Sequence, residues 1–194
     1  SHYGFDSHAT HKRETGMVHL NGFLGYPTSP YTVPYGVIVP KEVDNLLFPV
    51  PISGSHIGFS TLRMEPCWMA LGQAAGAACS LSIDSGCKMK NISIEHLQDI
   101  LLENGMTLIY FNDLNPDNVH FRMAQYLGIR GYLPDWNARL NEEIDQETLE
   151  FWRKKSGIQI KAEIDKTKRW ETLKDIYDML KGYTNPPKYY GKTH

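Results

Sequence analysis

The run Arg63-Met64-Glu65-Pro66-Cys67-Trp68-Met69-Ala70-Leu71-Gly72-Gln73-Ala74-Ala75-Gly76-Ala77-Ala78-Cys79 constrains this chain more than any other stretch. It reads as a buried helix that follows a buried strand. Pro66 suits the first helical position, because its missing N–H would have had no intrahelical partner there. Gly72, Ala75, Gly76 and Cys79 fall at i, i+3, i+4 and i+7, so they share one face with almost no side chains. An interior Gly costs a helix roughly 1 kcal/mol relative to Ala, so a pair on one face points to close backbone approach. Trp68, Met69, Leu71 and Leu81 supply core-sized side chains around the rest.

Three readings compete for this helix. It can be a core helix packed tightly on a sheet. It can be a membrane span, but Pro66 to Ile83 is at the short end for a crossing of about 20 residues and contains Gln73, Ser80 and Ser82. Or its N-terminus can face an anionic or electron-rich ligand, where unpaired N–H groups and the positive dipole end make a site. Glu65 stands where the cap should be and is a poor capping residue, which leaves the first-turn amides to some other acceptor.

Upstream, Leu46 to Ile52 is a near-continuous apolar run that suits a buried parallel strand, weakened by Pro49 and Pro51. Ser53-Gly54-Ser55-His56 leaves its C-terminal end. In open α/β sheets ligands bind at that end of the strands, which supports a site at His56. His56 can act as a general base or donate to a ring nitrogen. Arg63, always charged, can offset an anionic ring or hold a substrate oxygen. The plain alternatives are a His bonded to backbone and an Arg paired with Glu65.

The runs Ser53-Gly54-Ser55-His56, Arg63-Met64-Glu65-Pro66 and Leu71-Gly72-Gln73-Ala74-Ala75-Gly76-Ala77-Ala78 resemble the C-terminal flavin-binding segment of FAD-dependent oxidoreductases built on the glutathione-reductase-like fold. Pro30-Tyr31-Thr32-Val33-Pro34-Tyr35 and Val43-Asp44-Asn45-Leu46-Leu47-Phe48-Pro49-Val50 share the likeness, which covers about residues 1–105. The resemblance implies FAD as cofactor, with the N-terminus of helix 66–83 facing the isoalloxazine, where charge develops on reduction. It implies cofactor-binding roles for Ser55, Arg63, Met64, Glu65, Pro66, Gly72, Gln73 and Gly76, and catalytic roles for His56 and His8. Asp6-Ser7-His8, with His11 and Arg13, resembles a segment that leads to the substrate side of the flavin; the plain alternative is an irregular solvated segment. The family's Gly-x-Gly-x-x-Gly pyrophosphate turn does not occur in this sequence. The expectation is therefore the C-terminal part of a longer flavoprotein, whose N-terminal half is a missing partner. Alone, the chain is expected to bind FAD weakly or not at all.

Composition narrows the partners. The chain has 194 residues, 41% hydrophobic and 22% charged, ordinary for a globular protein of one or two domains. A net charge of −2 without a basic stripe argues against nucleic acid and leaves a small-molecule substrate. Cys67, Cys79 and Cys87 lack metal-ligand spacing, and no metal is expected. Cys67 near a helix N-terminus could have a lowered thiol pKa, although a small buried residue is the plainer reading. The compartment stays open between cytoplasmic and exported.

In chain order, Met17 to Leu24 reads as a short strand, and residues 25–36, with Pro27, Pro30 and Pro34, as a stiff aromatic loop. Val37 to Pro40 reads as a brief strand. Ser93 to Asn104 is an amphipathic helix capped by Ser93, stapled by Ile92 and Leu97, and ended by Gly105. A helix is expected from Asn115-Pro116 to Gly128, another from an Asp145 cap towards Lys155, and a last one over Thr167–Lys181. Residues 156–166 read as a polar linker and the tail from Asn185 as irregular. Gly131-Tyr132-Leu133-Pro134-Asp135 between capped helices looks loosely like the helical repeat of surface-layer homology modules, here expected as a helical appendage rather than a wall anchor.

The expected class is α/β to α+β: a few strands from a flavoprotein sheet, a buried Gly/Ala-rich helix, then an α-helical region. The division is 1–105, part of the FAD-binding and substrate domain, and 106–194, a helical extension. Two functions follow: a segment of an oxidoreductase that transfers hydride between substrate and flavin, or a non-catalytic α-rich interaction module.

Overall fold

The computed structural model describes residues 1–9, 15–16 and 22–183. It is an α+β chain that divides into two compact units, Ser1–Tyr110 and Phe111–His194.

The first unit opens with β1 (Phe5–His8), antiparallel to β2 (Phe23–Tyr26), with Phe5 opposite Tyr26 and His8 opposite Phe23. The Asp6-Ser7-His8 segment is thus regular strand, not irregular coil. The two strands run close: a Cβ on Gly4 would lie 2.8 Å from the Tyr26 carbonyl. The strand expected over Met17–Leu24 is observed only as β2; residues 17–21, like His11 and Arg13, lie outside the described residues. The Pro-stiffened loop straps the core. The Tyr31 hydroxyl donates to the Thr61 carbonyl at 3.1 Å, and that of Tyr35 to the Met89 carbonyl at 3.0 Å. Burial, with the Cys79 and Cys87 thiols nearby, pushes the Tyr35 hydroxyl up to about 12.

Two expected strands do not form. Tyr35–Ile38 is a single 3₁₀ turn that buries Ile38. Leu46–Ile52 is irregular: it bonds to that turn through Phe48 N to Ile38 O at 2.8 Å and Ser53 N to Val37 O at 2.7 Å. Pro49 and Pro51 bring no N–H to a ladder, and a parallel strand needs neighbours. Among the described residues the sheet contains β1 and β2 alone. Ile52 still reaches the core, while Leu46 and Val50 are exposed.

α1 (His56–Leu62) takes the place of the expected strand end. Ser55 caps it, its Oγ accepting from Gly58 N at 3.0 Å. α2 (Glu65–Ser85) follows and closes at Gly86, whose φ of 61° is the left-handed conformation that glycine tolerates. α2 is half buried, not buried all round. Leu71, Ala75, Ala78, Leu81 and Ser82 face inward, while Met69, expected in the core, is 76% exposed. One core cluster joins Leu71 and Ala75 to Ile38, Ile52 and Leu62. A second joins Ala78 and Leu81 to Ile92, Leu97 and Leu101, the last two on α3 (Ile94–Glu103). Ser93 caps α3 and Gly105 ends it, as the sequence indicates.

The second unit holds α4 (Phe121–Gly128), α5 (Gln146–Ser156) and α6 (Arg169–Tyr183). α4 begins later than Asn115-Pro116 suggests. The Asn118 side chain accepts from His120 N at 2.8 Å, which favours a local turn over a helix there. Asp145 caps α5 through Thr148 N at 2.7 Å. Leu127, Ile144, Leu149, Trp152, Leu173 and Ile176 are buried, and Trp152 Nε1 donates to the Tyr132 carbonyl at 2.8 Å. The expected linker contributes Ile160, 6% exposed, whose carbonyl accepts from Arg153 Nη2 at 2.8 Å. The tail from Asn185 lies outside the described residues.

Candidate functional site

The polar residues of the first unit converge where β1 meets the α1–α2 junction. Asp6 is their hub. Its Oδ1 lies 3.1 Å from His8 Nε2, its Oδ2 accepts from the Tyr3 hydroxyl at 3.2 Å, and the same oxygen pairs with Arg63 Nη2. The Asp6 backbone N–H donates to Ser60 Oγ at 3.2 Å, which pins the hub to α1. Burial raises the Asp6 carboxyl, but the Tyr3 hydrogen bond and the charges of Arg63 and His8 outweigh it and leave the carboxyl lowered. The Arg63 guanidinium also lies 5.7 Å from the centre of the Tyr3 ring.

His56 opens α1 and is exposed. Its Nε2 lies 2.9 Å from the His8 carbonyl. A carbonyl only accepts, so that nitrogen carries the proton and Nδ1 is left as an acceptor in the neutral ring. The His8 side chain is 72% exposed, with Phe23 4.8 Å from its ring centre. Arg63 is bound to Asp6 rather than to Glu65.

The front of α2 is built differently from the sequence expectation. Met64, with extended backbone, is its N-cap, and the Met64 side chain makes no capping hydrogen bond. Pro66 has no N–H, and Cys67 N turns back to the Met64 carbonyl at 3.0 Å, so fewer donors face forward than an open helix end would offer. A further donor stands at the end of the first turn: Trp68 Nε1 is buried without a hydrogen-bond partner among the described residues. Burial raises the Cys67 thiol, against the lowering that a helix N-terminus would give.

Further along, the four small residues do not share one environment. Ala75 belongs to the buried face, Gly72 is half-buried and Gly76 is exposed. A Cβ on either glycine would meet nothing within 4 Å among the described residues. With Met69, Gln73 and Ile83 also exposed, this side of α2 is open.

A sequence model of the family described as FAD dependent oxidoreductase matches residues 1–101. The chain belongs to this family. No curated protein and no solved structure matches it.

The family relation bears on the first unit, where the structure joins His8, His56 and Arg63 at one corner, with Ser55, Met64, Glu65 and Pro66 along the same stretch of backbone. Gly72, Gln73 and Gly76 lie about 10 Å or more down α2 at 1.5 Å per residue. The sequence assigns no site role to Tyr3, to Asp6, which it places only in the Asp6-Ser7-His8 segment, or to Trp68, which it places in the core. Asp6 had a signal, because two residues apart on a strand it shares a face with His8. The orphaned Trp68 N–H had none. Those residues suit the ring end of FAD: an N-cap whose side chain makes no capping bond, a buried donor lacking an acceptor among the described residues, and open space beside Gly72 and Gly76. They do not supply the pyrophosphate end, for which the sequence has no Gly-x-Gly-x-x-Gly turn.

Proposed function

We propose that this chain is the flavin-facing segment of an FAD-dependent oxidoreductase that moves a hydride between a small-molecule substrate and the flavin. The observation that carries the reading is the front of α2, where the N-cap Met64 makes no capping bond, followed by open space beside Gly72 and Gly76 among the described residues. FAD, when bound, supplies the two-electron acceptor. The backbone around Met64, Glu65 and Pro66 would meet the ring with the positive end of the α2 dipole, and Gly72, Gln73 and Gly76 would let cofactor or protein backbone lie against the helix. Ser55 holds the start of α1 and with it the orientation of His56.

The proton that leaves a substrate hydroxyl or amine as hydride departs its carbon would go to His56 or His8. His56 offers Nδ1, because Nε2 is engaged with the His8 carbonyl. His8 is oriented by Asp6, in the way a carboxylate fixes an imidazole for proton transfer.

The nucleotide-binding turn would come from an N-terminal half that partners this segment. The 194-residue chain alone is then expected to purify colourless, and the complete flavoprotein to carry FAD at one per chain. Absorbance in the visible flavin band measures both; a complete protein without that band would defeat the reading. His56→Ala in the loaded protein is expected to cut turnover by about 10²–10⁴-fold, the usual contribution of a positioned acid or base. Unchanged turnover would remove His56 from the proton path.

A further inference from the structure

The front of α2 carries two positive charges of different origin. One is the helix dipole. The other is Arg63, two positions before Glu65, whose guanidinium is 38% exposed. A cation at a helix N-terminus is unfavourable unless an anion answers it. Glu65, in the first turn of α2, answers the dipole, and the answer to Arg63 comes from another element. Asp6 on β1 pairs with Arg63, and Tyr3, His8 and Ser60 hold that aspartate through its side chain and backbone. The carboxylate is fixed from several sides, so it is a permanent counter-charge rather than a passing surface contact.

We propose that Asp6 is the resident counter-anion of the α2 front and sets how much of the Arg63 charge reaches the flavin ring. The inference rests on the reading of the site given above. With Asp6 in place the Arg63 pair is neutral, and negative charge arriving on the ring is answered mainly by backbone dipoles. Without Asp6, Arg63 keeps a full positive charge beside the same end and favours the anionic form of whatever lies there. Asp6 thus acts through Arg63 and is a positioning residue, not a catalytic one.

Charge predicts opposite signs for the two halves of the pair, and loosened packing does not. In the FAD-loaded flavoprotein, Asp6→Asn is expected to raise the affinity for sulfite, followed as loss of the visible flavin band, by about tenfold. Arg63→Gln is expected to lower it by a similar factor, and the double variant to fall between them. The flavin midpoint potential should move in the same directions. A second probe needs no flavin. In the 194-residue chain, inorganic sulfate should shift the Arg63 side-chain NMR signal in Asp6→Asn and leave it unmoved in the unaltered chain. The inference is overturned if Asp6→Asn changes neither signal, or if both single variants move sulfite affinity the same way. Should Asp6→Asn fail to fold, an Arg63→Gln protein with unaltered sulfite affinity overturns it equally. A protein without bound flavin would instead defeat the functional reading, and the sulfate titration would still decide the role of Asp6.

Discussion

Asp44 accepts from Lys88 Nζ at 2.7 Å and Lys90 Nζ at 2.6 Å, which ties the loop before the apolar run to the turn after α2. These two bonds, with the charges behind them, hold its carboxyl down to about 2, against an ordinary value of 3.8. The unfolded chain takes up the proton near pH 4, whereas the folded chain resists until about 2. Stabilisation from this clamp is therefore complete above pH 4 and is lost as the pH falls towards 2. Asp44→Asn should melt lower than the unaltered chain at pH 6, and the two melting curves should converge by pH 2. High salt should shrink the gap, because the group is exposed. A gap that persists at pH 2 would contradict the assignment. Trp152 gives a buried counterpart. Trp152→Phe keeps the aromatic bulk but leaves the Tyr132 carbonyl without its donor, and is expected to cost about 1–3 kcal/mol in urea denaturation.

Caps are where sequence and structure agree best among the elements, because a cap is decided by a few neighbouring residues. Ser93 and Asp145 each accept the amide three positions on, and Gly105 adopts the positive φ that closes a helix. Asp145→Ala should cost about 1 kcal/mol from the cap, and more through the lost contact with Arg169 Nη2 at 3.0 Å. A chemical denaturation midpoint measures it. The apolar run Leu46–Ile52 was misread for the opposite reason. Hydrophobicity there suggests burial, but only Ile52 is buried, and an apolar run makes a buried strand only where other strands lie alongside. α1 was missed because Ser53-Gly54-Ser55-His56 reads as loop, although Ser55 carries the side chain of an N-cap. The start of α2 is legible from Pro66, its end at Ser85 lies two residues beyond the expected Ile83, and which side faces inward is not legible. Four small residues predict a bare surface without saying what meets it, and the structure splits them between core and solvent. The Asp6–His8 half of the hub is local and so partly legible, but the bond from Asp6 to Arg63 spans 57 positions and is not.

At the scale of the molecule, both units expose large apolar side chains, Val119 of the second unit at 91%. The first exposes large apolar side chains, among them Phe23 at 63%, Tyr26 at 65%, Met69 at 76% and Ile83 at 78%. The second unit has its own buried set around Trp152, Leu149 and Leu173. A fragment of residues 111–194 is therefore expected to show helical circular dichroism and a cooperative melt by itself; a non-cooperative, featureless melt would contradict an independent unit. Among the described residues no helix is long and apolar enough to cross a membrane. The most direct measurement is flavin content after Gly72→Leu. The space beside Gly72 is open in the chain, so the 194-residue variant should keep its helix content and melt no lower than the unaltered chain. The complete flavoprotein with the same change should lose its bound FAD. Retention of FAD at the unaltered ratio would contradict the claim that this side of α2 lies against the cofactor or the domain that holds it.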